Sequence, residues 1–84
     1  TDVVLRFRPD VAGRVMEASW HPSQRVAEAA DGSLEWRATV AGTIEIRLWI
    51  LSWGSDVEVL APEALRQDVA ETLRRAAVQY GSEA

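Results

Sequence analysis

Residues Val3 to Arg8 set Val3, Leu5 and Phe7 against Val4, Arg6 and Arg8 in strict alternation, the period that sends successive side chains to opposite faces of a sheet. A first strand is predicted there. Pro9 stands where a first helical turn tolerates it, and Val11, Val15 and Ala18 recur at helical spacing up to Trp20, which predicts a helix that Pro22 stops. From Arg25 to Ala41, two alternating segments flank Asp31-Gly32, a dipeptide suited to a two-residue hairpin turn. That turn pairs Ala29 with Leu34 and Ala27 with Trp36. It sets Glu28 opposite Glu35 on the other face, beside Val26 and Arg37, and points Leu34, Trp36, Ala38 and Val40 to the core.

Gly42-Thr43 breaks the pattern and offers an N-cap, so Ile44 to Trp53 reads as a second helix ended by Gly54. A fourth strand follows at Asp56 to Leu60. Ala61-Pro62-Glu63 opens a last amphipathic helix whose buried stripe is Leu65, Val69, Thr72, Leu73, Ala76 and Tyr80, with Gly81 as its stop and Glu71 and Arg75 paired on its wet side. The order predicts an α+β, ferredoxin-like βαββαβ domain with an additional C-terminal helix. Strands one and three should be central, with the crossover helices on one face and the other face open. Residues 1–84 make one domain with an ordered core over residues 3–80, too short for two cores.

Composition narrows the function classes. There is no cysteine, and His21 is the only histidine, which excludes disulfide scaffolds, thiolate catalysis and Cys/His zinc sites. The longest apolar run, Leu48 to Leu51, is far short of a membrane span, and no signal peptide opens the chain, so a cytoplasmic protein is expected. A net charge of −4 argues against binding of duplex DNA unless positive charge is gathered in one place. All nine basic residues are arginine, a skew that fits a GC-rich bacterial genome. Thr1 is not an initiator methionine and strand-like residues follow at once, so the chain reads as a piece of a longer protein.

Three sets of residues are candidates for function. On the second helix Ile44, Leu48 and Leu51 gather on one side and Ile46, Trp49, Ile50 and Trp53 on the other. One sheet cannot bury both sides, and the aromatic set, Ile46, Trp49, Ile50 and Trp53, is the candidate protein interface; packing of the tryptophans within the domain is the alternative. On the outward face of the central strands, Arg6, Arg8 and Arg37 could hold phosphates or a single-stranded nucleic acid. Glu28, Glu35 and Glu58 share that face, however, and no aromatic platform for base stacking stands there. His21, followed by Ser23, has no acidic partner at triad spacing and no nucleophile elbow, so no catalytic residue is expected. No metal or cofactor site is expected either. Arg8-Pro9-Asp10 lacks the phosphate-cradling loop that acylphosphatases of this topology require.

Four segments together carry a family resemblance: Trp20-His21-Pro22-Ser23-Gln24, Asp31-Gly32-Ser33-Leu34, Leu48-Trp49-Ile50-Leu51-Ser52-Trp53-Gly54, and Val57-Glu58-Val59-Leu60-Ala61-Pro62-Glu63-Ala64-Leu65-Arg66. In this order the chain resembles, from its first strand to Tyr80, the C-terminal extension that follows the WYL domain in bacterial transcriptional regulators. The last two segments are the most specific. The resemblance implies a regulator in which a preceding winged helix-turn-helix binds operator DNA and the WYL domain senses an effector, taken in several members to be nucleic acid. The extension then contributes homodimer contacts and ligand response. The expected function is therefore an accessory regulatory and dimerisation module, not an enzyme; the other reading is direct binding of single-stranded nucleic acid on the basic sheet face.

Overall fold

The computed structural model describes residues 1–81. Its strands are β1 (Asp2–Phe7), β2 (Arg25–Glu28), β3 (Leu34–Thr39) and β4 (Val57–Ala61), and its helices α1 (Ala12–Glu17), α2 (Ile44–Ser52) and α3 (Glu63–Gln79), with 3-10 turns at Pro9–Val11 and Gly54–Asp56. The class is α+β. All strand pairs are antiparallel in the order β2-β3-β1-β4, which puts the first and third strands in the middle. The alternation of β1 and β3 sends Val3, Leu5, Phe7, Leu34, Trp36 and Ala38 to a closed inner face, where they bury against Val11, Val15, Ile46, Ile50 and Val59. Trp36 is fully buried. The indole N–H groups of Trp36 and Trp53 have no acceptor among the described residues, a cost of about 1–3 kcal/mol each. Burying an aromatic side chain of ~150–250 Å² returns roughly 4–6 kcal/mol, so packing outweighs the orphaned donors.

The hairpin register differs by one residue from the expected one. Val26 pairs with Trp36 and Arg25 with Arg37, where Ala27–Trp36 and Val26–Arg37 were expected. The reason lies in the turn. A two-residue turn of the expected type needs positive φ at both central residues, but of the two only Gly32 has it, at +87°, and no non-glycine residue among those described does. The loop instead takes in Ala30 as a third residue: the Gly32 N–H donates to the Ala29 carbonyl at 3.0 Å and the Ala29 N–H to the Ser33 carbonyl at 2.8 Å. Asp31 Oδ1 accepts from the Ser33 amide (2.9 Å) and hydroxyl (2.6 Å). These two donors hold the Asp31 carboxyl below its usual range. The slip affects β2 alone: β3 keeps its expected facing, whereas Glu28 moves opposite Leu34 and leaves the open face, and Ala27 takes the place beside Glu35.

Other boundaries shift for local reasons. The first helix ends at Glu17 instead of Trp20, with Ala18 already extended. There the Gln24 side chain takes over the backbone: its Oε1 accepts from the Trp20 and His21 amides (2.8 and 3.0 Å) and its Nε2 donates to the Ala18 carbonyl (3.0 Å). β4 starts one residue late because Asp56 belongs to the 3-10 turn, where its carbonyl accepts the Arg8 amide at 2.9 Å. Thr43 stands at the N-cap of α2 without a side-chain capping bond.

α3 packs along β4 and α2, burying Leu65 and Val69. Arg47 of α2 donates to Asp68 (2.7 Å) and Thr72 (2.8 Å), and Arg66 donates to Glu58 (2.8 Å) and to the Val59 carbonyl (2.7 Å). Tyr80, expected on the buried stripe, is 91% exposed, and Leu73 is only partly covered. Length explains this. Seventeen helical residues reach about 26 Å, whereas a five-residue strand runs about 16 Å, so the last turns overhang their support. Gly81, at φ +89°, ends the helix as expected.

Candidate functional site

α2 meets the core with the face that carries the larger side chains. Ile46 and Ile50 are 0% and 1% exposed, and the half-buried Trp49 and Trp53 pack on the same core. Their rings meet Phe7 at 5.8 and 5.3 Å, and Trp49 lies 5.1 Å from Trp36 and stacks on Trp20 at 5.3 Å. Ile46 and Ile50 are thus taken up by the domain core, and Trp49 and Trp53 pack on it in part, as the alternative reading of the tryptophans has it. The opposite face is left over: Ile44 is 80% and Leu48 61% exposed, one helical turn apart. Ile44 also borders a groove of about 330 Å³ lined by Trp20, His21, Val40, Ala41, Gly42 and Glu45.

The sheet face away from the helices is open and charged. Arg6 pairs across the ladder with Glu35 on one side and Glu58 on the other, and its guanidinium lies 3.6 Å from Glu58. Arg37 Nε binds Glu35 at 3.0 Å. Glu58 also accepts from Arg66 at 2.8 Å, and this hydrogen bond raises the pKa of the guanidinium. Arg8 lies beyond the end of β1 and makes no ion pair among the described residues. Arg6 and Arg37 therefore share the face with Arg8 displaced toward one end, and both are engaged by carboxylates. These exposed pairs contribute about 0–1 kcal/mol each.

His21 has a local structural task. Its Nδ1 accepts the Ser23 amide at 3.1 Å and lies 2.8 Å from Ser23 Oγ, which in turn accepts the Thr39 amide at 2.9 Å. The loop is thereby stitched to β3 and holds Trp20 over Trp49. Among the described residues no group of histidine and carboxylate side chains could hold a metal ion. No described helix is long and apolar enough to cross a membrane.

The model of the WCX domain family matches residues 1–77, the span that holds every element from β1 to the body of α3. The chain belongs to the WCX family. WCX is the C-terminal extension of WYL-domain regulators, so this is a regulatory C-terminal module of the WYL type. No curated protein matches the chain.

Sequence reasoning missed two features of this WCX domain. The exposed pair Ile44 and Leu48 was recognised as part of one of two apolar sides of the second helix, but the other side was named as the candidate interface; no local signal separates the two, because both are apolar. Arg25 was missed as a member of the open face. Its position follows from the hairpin register, and only a turn of the right length supplies that.

Proposed function

We propose that this WCX domain is the dimerisation and ligand-response module of a bacterial, cytoplasmic WYL-type transcription regulator, non-catalytic and built on a ferredoxin-like frame. In that role operator DNA is bound by a preceding domain and this module joins two copies. The observation that carries the reading is the exposed Ile44–Leu48 stripe on α2, continuous with the groove beside Trp20. Each such side chain gains about 1.5–3 kcal/mol when fully buried. A few residues fall short of the ~1,200 Å² of a stable interface, so the domain by itself forms a weak dimer that the rest of the regulator reinforces. A two-fold contact suits one patch repeated on two copies.

Analytical ultracentrifugation over a concentration series should show reversible dimerisation of the wild type. Leu48→Glu or Ile44→Glu should give a monomer with an unchanged circular dichroism spectrum, because both side chains are already in water. Trp49→Glu should instead disturb the fold. A wild-type domain that stays monomeric at millimolar concentration would refute the dimer reading. Direct stacking of single-stranded nucleic acid gains no support, since the outward positions of β1 and β3 carry Val4, Arg6, Glu35, Arg37 and Thr39 and no aromatic ring.

A further inference from the structure

We propose that the open sheet face carries a phosphate-binding notch between Arg25 of β2 and Arg37 of β3. The two residues are direct partners in the antiparallel ladder, and like charges directly opposite each other destabilise a sheet. Arg6, Arg37 and Arg66 on or beside this face each hold a carboxylate. Arg25 makes neither an ion pair nor a side-chain hydrogen bond among the described residues, and Arg37 engages only Nε, leaving both Nη groups free to donate. A hollow of about 230 Å³ lies between them, lined by Val4, Ser23, Thr39 and Asp2 together with the two arginines. Two guanidiniums flanking one hollow are suited to a tetrahedral oxyanion, which accepts forked N–H pairs from both sides. Such an anion relieves the repulsion that the ladder imposes.

Asp2 opposes this charge. Its Oδ1 is turned to the Thr39 hydroxyl at 2.7 Å, and its negative charge at the rim keeps the notch weak for simple anions. The pairing is a product of the three-residue turn: in a two-residue hairpin Val26, not Arg25, would face Arg37 and no notch would form. The notch gives chemistry to the ligand-response half of the function proposed above and rests on that reading only for its regulatory meaning. A failed phosphate titration therefore leaves the ultracentrifugation test untouched.

The test is an amide chemical-shift titration of the isotope-labelled domain with pyrophosphate, in phosphate-free buffer at low salt. Saturable shifts centred on Arg25, Arg37 and Thr39 are expected. Arg25→Gln or Arg37→Gln should weaken binding roughly tenfold or more, as befits loss of a charged hydrogen-bonding partner. Asp2→Asn should tighten it, and Arg74→Gln should leave it unchanged. A short oligothymidylate separates the sources of the phosphate: the same residues and the same losses mark a nucleic-acid backbone, and a response to pyrophosphate alone marks a free phosphoanion. The notch is refuted by the absence of a saturable shift, by shifts spread evenly over all the arginines, or by equal binding to Arg25→Gln and wild type.

Discussion

The two faces of the sheet are made from alternate residues of the same strands, yet different forces act on them. On the inner face Val3, Leu5, Phe7, Leu34 and Trp36 are removed from water and fixed by shape against α1 and α2. On the outer face Arg6, Glu35, Arg37 and Glu58 stay in solvent and are arranged by charge. The contrast shows where substitution is tolerated. Burial is strong, non-directional and intolerant of lost volume, whereas exposed ion pairs are weak, screened and replaceable. The inner face therefore holds the fold, and the outer face is free to change with whatever it meets.

The contrast breaks most sharply at Trp36. Trp36→Ala should lower unfolding free energy by about 3–5 kcal/mol, read from urea denaturation, and the blue-shifted emission of a buried indole should be lost with it. A loss below about 1 kcal/mol would mean that the neighbouring tryptophans close the cavity. Gly32→Ala tests the link between the faces, because Gly32 sets the register that decides which β2 residues reach the outer side. A side chain there meets φ +87° and lies 3.4 Å from Pro9 Cβ, so a loss of about 1–2 kcal/mol is expected. Amide shifts should then change along β2 more than along β1. Glu58→Ala sharpens the outer side of the comparison. It removes the acceptor of both Arg6 and Arg66, yet the loss should stay under about 1 kcal/mol and shrink further as salt is added.

Legibility in the sequence follows the same division. The period of two in Val3-Leu5-Phe7 and Leu34-Trp36-Ala38 was sufficient to place the inner face, because a strand has only two sides and one of them must be dry. The positive-φ stops at Gly54 and Gly81 were equally readable, since few residues other than glycine adopt that conformation. The tertiary contacts, and not the local pattern, placed Tyr80 in solvent, because a helix can be amphipathic over a length that its neighbours do not support. In the same way Gln24 ended α1 early by supplying side-chain partners to backbone groups that a longer helix would have bonded internally.

Alternation and turn residues along the chain determined the strands, the inward residues of β1 and β3 and the antiparallel hairpin. Only the tertiary structure decided which side of α2 was buried, since both sides are apolar and the choice depends on which set fits against Phe7, Trp20 and Trp36. The placement of Arg25 opposite Arg37 was also decided there. The backbone angles of three turn residues set that register, and hydrophobic pattern is blind to them on an edge strand whose four residues are all exposed to solvent.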